Sequence, residues 1–168
     1  MALAATITPA ETNTLAEISS QYLESLSLIE RLHRLLLDVV KDEFERQGRI
    51  DINSVQALLL FNIGEEELTA GDLKARGYYQ GSNVSYNLKK LVSGGYLNHE
   101  RCNTDRRSVR ISLTAKGAEI SRAVAEIFER HSRNFAHAKQ IDLTSFHEMT
   151  RSMRFLEQFW RDQIRFIY

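Results

Sequence analysis

Three features of the sequence predict a mainly α-helical chain with one small β-hairpin, in which long terminal helices flank a compact centre. A helical period runs unbroken over residues 11–47, and further helical stretches fill residues 118–168. Between them, at Val109-Arg110-Ile111-Ser112-Leu113, the hydrophobic period switches from about 3.6 to about 2. The 168 residues are 43% hydrophobic, with one proline and eight scattered glycines. That composition suits one domain with a real core and excludes collagenous, low-complexity and linker-rich classes.

Residues 1–10 are small and weakly apolar, lack the basic start and long apolar stretch of a secretory signal, and are expected to form a flexible tail. No run approaches the roughly 18 uncharged apolar residues that a membrane-spanning helix requires. The expectation is a soluble, cytoplasmic protein with no membrane partner and no cofactor. Cys102 is the single cysteine, so one chain can assemble neither a disulfide nor a cysteine-based zinc cluster.

Along the first arm, Leu15, Ile18, Tyr22, Leu26, Ile29, Leu32, Leu36, Val40 and Phe44 recur at three- and four-residue steps. A helix that long, about three times the usual 11 to 12 residues, is expected to pack on a partner. In the last arm Ile120, Val124, Ile127 and Phe135 keep the same period. After a break near Gln140, so do Phe146, Met149, Met153, Leu156, Phe159 and Ile167.

In the centre, Asn53 stands three residues before Gln56 and Thr69 three before Asp72, the spacing of helix-capping pairs. The first short helix holds Val55, Leu58, Leu59 and Phe61 and ends near Gly64. The second is expected to hold Leu68 and Leu73 and to end near Gly77. A third begins around Gly81 or Ser82, buries Val84, Leu88 and Leu91, and stops at Gly94-Gly95. The period-2 strand then pairs with residues 96–102 across Asn103-Thr104-Asp105-Arg106-Arg107, a turn with a basic tip. Three short helices followed by such a hairpin make a winged helix-turn-helix over residues 52–117.

The charge balance sharpens this reading. Twenty-two Lys/Arg match twenty-two Asp/Glu, yet residues 71–110 carry eight basic against three acidic residues, while residues 1–70 carry five against twelve. The basic excess therefore coincides with the third helix and hairpin, as a nucleic-acid footprint requires.

The run Asp105-Arg106-Arg107-Ser108 followed by Leu113-Thr114-Ala115-Lys116-Gly117 resembles the wing of the MarR family of transcriptional regulators, in which Asp-x-Arg-Ser precedes Leu-Thr-x-x-Gly. Gly95-Tyr96-Leu97 is similar to that family's exit from the recognition helix. More narrowly, the blocks at 29–46 and 78–91 resemble LdtR-type regulators of alphaproteobacteria, a branch linked to cell-wall L,D-transpeptidase control and small-molecule response. The chain departs from the family pattern at Tyr78-Tyr79-Gln80-Gly81 and at Tyr86, where arginine is frequent, so base preferences do not transfer.

This likeness implies a single MarR-like domain over residues 11–168, in which 11–47 and 118–168 form the dimerisation helices. It also implies a homodimer on an imperfect palindrome of double-stranded DNA. A recognition helix meets base edges with its first turns, which here offer Ser82, Asn83, Ser85, Tyr86 and Asn87. Lys89 and Lys90 suit phosphates, and Arg106 and Arg107 suit a narrow minor groove. By resemblance, Asp105 orients the wing arginine. Regulators of this kind often bind small aromatic or phenolic effectors, for which His33, Tyr78 and Tyr79 are candidates. Packing tyrosines and a solvated histidine are an equally open reading.

Cys102 beside Arg101 offers a second route, a redox switch. An enzyme would need a catalytic constellation, and none is present: Glu65-Glu66-Glu67 reads as a solvated turn, and His131 and His137, six residues apart, fall on different helical faces. The competing reading is a helical adaptor that uses its arms for protein contacts, though an adaptor has no need of a basic helix beside a basic hairpin tip.

Overall fold

A computed structural model describes residues 9–69, 72–73, 82–101, 109–138 and 141–167. The chain forms two compact units, Met1–Ile127 and Phe128–Tyr168.

The first unit opens with helix α1, Pro9–Arg46, with proline at the first helical position, where its missing N–H costs nothing. The helix therefore starts two residues before the place that periodicity indicates. It is closed by Gly48 at φ 70°, a left-handed conformation that returns the Arg49 amide to the Phe44 carbonyl at 2.8 Å. Only the end of α1 enters the core, through Val40 and Phe44, whereas Leu15, Ile18, Leu23 and Leu32 are all more than half exposed.

Helix α2, Ser54–Ile63, carries the expected capping box: the Gln56 amide donates to Asn53 Oδ1 at 2.9 Å, and the Asn53 amide donates to Gln56 Oε1 at 3.3 Å. Ala57, Leu59, Leu60 and Ile63 bury its inner face.

Leu68 departs from expectation. Instead of opening a second short helix, Leu68–Thr69 forms strand β1, whose Leu68 is buried opposite Ile111. Two residues carry no period, so helical spacing to Leu73 looked as good as a strand pairing made far along the chain. The capping expectation at Thr69 holds: the Asp72 amide donates to Thr69 Oγ1 at 3.0 Å, and the Thr69 amide donates to Asp72 Oδ2 at 2.8 Å. Asp72 and Leu73 are helical, with Leu73 in the core. The expected end of this helix near Gly77 lies outside the described residues.

Helix α3, Ser82–Ser93, buries Leu91 and ends at the expected glycine pair. Gly95 takes φ 74°, and the Tyr96 amide closes on the Leu91 carbonyl at 2.9 Å. Strands β2, Leu97–Arg101, and β3, Val109–Leu113, pair antiparallel with His99 opposite Ile111. The hairpin thus becomes a three-stranded sheet of order β1-β3-β2. Helix α4, Ala115–His137, adds Ile120, Val124 and Ile127 to the core, each contributing about 1.5 to 3 kcal/mol of burial.

In the second unit, the end of α4 and helix α5, Leu143–Ile167, are joined by a turn in which Asp142 caps α5: its Oδ1 accepts from the Ser145 amide at 3.0 Å. The rings of Phe135 and Phe146 meet at 5.6 Å, beside an apolar cleft of about 630 Å³ lined also by Ile141 and Leu143. Met149, Met153, Phe155 and Phe159 stay exposed on α5.

Candidate nucleic-acid interface

Helix α3 holds twelve residues and no acid. Its inner side carries Leu91, with Leu88 and Asn87 half-buried; its outer side presents Ser85, Tyr86, Lys89 and Lys90 to solvent. Lys90 Nζ sits 5.7 Å from the centre of the Tyr86 ring, inside the range where the ring face attracts a cation. Neither Lys89 nor Lys90 has an ion-pair partner among the described residues, so both can meet phosphate without first breaking a salt bridge.

Asn87 is placed differently from the other candidates. Gln56 Nε2 donates to its Oδ1 at 3.3 Å, so the side chain that sequence reasoning offered to bases ties α3 to α2. Since Gln56 also completes the α2 capping box, one glutamine links that helix start to the inner face of α3. Ser82 and Asn83 occupy the first turn of α3. Tyr78, Tyr79, Cys102, Asp105, Arg106 and Arg107 lie outside the described residues. His33 is exposed on α1.

The local basic excess is smaller than the residue count suggests. Arg110 Nη1 lies 2.8 Å from Glu67 Oε2, and β2 sets Glu100 directly opposite Arg110. Arg110 therefore supports the sheet, which leaves the outer side of α3 as the basic surface of this region among the described residues.

A second cluster holds this surface in place, and sequence reasoning missed it. The Tyr96 hydroxyl donates to Asp51, while Lys116 lies 4.0 Å over the Tyr96 ring and donates to the Gly94 carbonyl at 3.2 Å. Tyr96's hydrogen bond, with help from the positive charges of Lys116 and Arg49, holds the Asp51 carboxyl below its ordinary value. Burial, reinforced by the bond to Asp51, raises the Tyr96 phenol above its own. Beside them, the Thr114 hydroxyl donates to the Gly95 carbonyl at 2.7 Å and accepts from the Gly117 amide at 3.1 Å. The Thr114 amide bonds the Tyr96 carbonyl at 3.1 Å. A Cβ at position 117 would lie 2.1 Å from that same carbonyl oxygen. Leu113-Thr114-x-x-Gly117 is thus a clamp: threonine locks the turn after α3 to the first turn of α4, and glycine leaves room for the approach. That motif was the available signal, but nothing local announced Asp51.

The winged-helix DNA-binding domain family model matches residues 52–117, the span from the start of α2 through the sheet to the clamp. Among solved structures, the chain shares its fold with a MarR transcriptional regulator from Methanosarcina mazei Go1. The TM-score is 0.64 at 23% identity, over 81% of this chain and 95% of that one. It also matches Streptococcus pneumoniae FabT, solved in complex with DNA, with TM-score 0.66 at 20% identity over 84% and 98% of the two chains. In sequence it is 33% identical over 145 residues to the exopolysaccharide II synthesis transcriptional activator ExpG of Rhizobium meliloti, covering 86% of this chain and 74% of that protein. The chain belongs to the MarR family of winged-helix transcriptional regulators. As in its relatives, its role is DNA-binding regulation of transcription and not catalysis. In this MarR-family regulator α3 takes the place of the recognition helix and β2–β3 that of the wing. No helix among the described residues is long and apolar enough to cross a membrane.

Proposed function

We propose that this regulator acts in the cytoplasm as a homodimer on an imperfect palindrome, with α3 in successive major grooves and the tip between β2 and β3 in the flanking minor grooves. The observation that carries the reading is the acid-free α3, with Ser85, Tyr86, Lys89 and Lys90 turned outward. On this reading Ser82, Asn83, Ser85 and Tyr86 meet base edges, and Lys89 and Lys90 meet phosphates. Arg106 and Arg107 enter the minor groove, oriented by Asp105, and Asn87 works from behind by positioning the helix. Two-fold symmetry places the half-sites roughly 10 bp apart. Exposed Leu15, Ile18, Met149, Met153 and Phe159 supply apolar surface for the second copy.

Fluorescence anisotropy on the regulator's own upstream intergenic DNA and on a scrambled duplex, across a salt series, tests this. Selective binding that weakens steeply with salt is expected. Equal weak binding to both duplexes, with every described fold feature intact, would favour the adaptor reading instead.

The controlled genes, on this proposal, serve the cell envelope. The support is the name of the exopolysaccharide activator to which the chain is similar, together with the LdtR-type blocks at 29–46 and 78–91. Transcript profiling of a deletion strain tests it: envelope genes with the operator upstream should change first. A small aromatic or phenolic effector at His33, Tyr78 and Tyr79 completes the proposal. A thermal shift of the wild type by such a compound, lost in a Tyr78→Ala, Tyr79→Ala variant, would support it.

A further inference from the structure

The opening turns of α3, Ser82-Asn83-Val84-Ser85-Tyr86-Asn87, hold no arginine, lysine, aspartate or glutamate. In the major groove each base is met by its own chemistry: arginine or lysine on guanine, asparagine or glutamine on adenine, a carboxylate on cytosine, an apolar group on the thymine methyl. The end of α3 that approaches base edges thus lacks the side chains that favour guanine and cytosine. Its charged residues, Lys89 and Lys90, come only in the second half of the helix.

Tyr86 differs from its neighbours in this stretch. It is 60% exposed, and among the described residues it is the one large apolar side chain that α3 turns to solvent. Side chains on a helix lean toward its N-terminus, so the ring leans toward the end that approaches base edges. Lys90, one turn later, reaches back over it, with Nζ 5.7 Å from the ring centre. A cation over one face steadies the ring and leaves the other face open to a partner. A ring pressed against base edges loses its water, and the only alkyl group that the major groove offers in exchange is the thymine C5-methyl.

We propose that Tyr86 is a specificity-determining residue that packs its ring on a thymine methyl, so that each half-site presents an A·T pair to α3 at that point. The inference rests on the reading of α3 as the major-groove helix and adds which base it selects and by what contact. The selection is apolar. It therefore differs in kind from the phosphate contacts given to Lys89 and Lys90, which carry no sequence information.

The test removes the methyl from the DNA and the ring from the protein. An operator is selected from a randomised duplex pool with the full chain, and each thymine in it is then replaced in turn by deoxyuridine, which lacks the methyl and keeps the base pairing. Anisotropy titrations should find one thymine in each half-site, the two related by the two-fold axis, at which uracil weakens wild-type binding. The expected loss is about fourfold for one site, the worth of a methyl leaving an apolar contact, and about fifteenfold for both. Tyr86→Ala should bind thymine and uracil duplexes alike at that position, while Tyr86→Phe, which keeps the ring, should still distinguish them. Melting curves check folding, and Tyr86→Gln replaces the alanine variant should that one fail to fold. A wild type indifferent to uracil at every position overturns the proposal, as does a uracil effect that persists in Tyr86→Ala, which assigns the methyl to another side chain. A Tyr86→Phe protein that no longer distinguishes the duplexes makes the contact one of the hydroxyl and overturns it too. Each of these results leaves α3 in the major groove, whereas a pool that yields no selected sequence removes the major-groove reading together with this inference.

Discussion

Replacing Gly117 with alanine asks how much the clamp between the turn after α3 and the start of α4 is worth. An added Cβ would sit 2.1 Å from the Tyr96 carbonyl oxygen, whereas real Cβ atoms essentially never come within 3.0 Å of such a neighbour. Either the first turn of α4 or the backbone at Tyr96 must retreat by roughly 1 Å in a region with no slack. Overpacking of this kind costs about 1 to 3 kcal/mol. The retreat also stretches the bonds from Thr114 to the Tyr96 carbonyl and from Gly117 to Thr114, at roughly 0.5 to 1.5 kcal/mol each. Alanine returns about 1 kcal/mol as the better helix former. The net expectation is a loss of roughly 1 to 5 kcal/mol, which for a chain of 168 residues lowers Tm by roughly 2 to 20 °C. Thermal unfolding followed by circular dichroism reads this directly. A Gly117→Ala protein that melts with the wild type, or above it, would show that the approach relaxes freely and that glycine is not required there.

The pH dependence of stability should follow from Tyr96 and Asp51. A carboxyl held below its ordinary 3.8 contributes stability above that value and loses it as pH falls through the lowered one. A phenol raised above 10.0 contributes below that value and loses its share as pH rises past the raised one. Tyr96→Phe should therefore flatten the Tm profile below about pH 4 and above about pH 10; a profile parallel to wild type at both ends would contradict the pairing. Lys89→Ala with Lys90→Ala should lower DNA affinity and reduce the magnitude of the log K against log salt slope by about 2. An unchanged slope would remove both lysines from the phosphate contacts. Deleting residues 142–168 should abolish dimerisation and specific DNA binding together, and a truncated chain that remained a tight, selective binder would refute the role given to that arm.

The long arms were legible because α1, α4 and α5 keep one period over many turns, and the caps at Asn53 and Thr69 because their partners stand three residues away. The turn at Gly94-Gly95 was legible for the same reason, since the signal is local. Leu68 was misread because its pairing with Ile111 is settled 43 residues later, across α3 and β2. Asn87 was read by residue type as a base contact, and only the placement of α2 shows that Gln56 occupies its oxygen. Asp51 sits in a short connection without a pattern, and its meaning depends on Tyr96 and Lys116 converging from two other segments. The wing motif announced that Thr114 and Gly117 mattered, while the reason needed backbone coordinates.

The two-residue strand β1 also constrains the order in which this lobe can assemble. Leu68 and Thr69 have no ladder partner until Arg110 and Ile111 arrive, and closing a loop of that length carries an entropy penalty that few local bonds repay. The α2 capping box and the turn after α3 can form early from near neighbours, whereas β1 must wait for β3. The Leu68–Ile111 pairing should thus appear late in folding and gain hydrogen-exchange protection in step with the β2–β3 hairpin. A nascent chain emerging in order from the ribosome would hold this edge open until residue 111 is free to reach it.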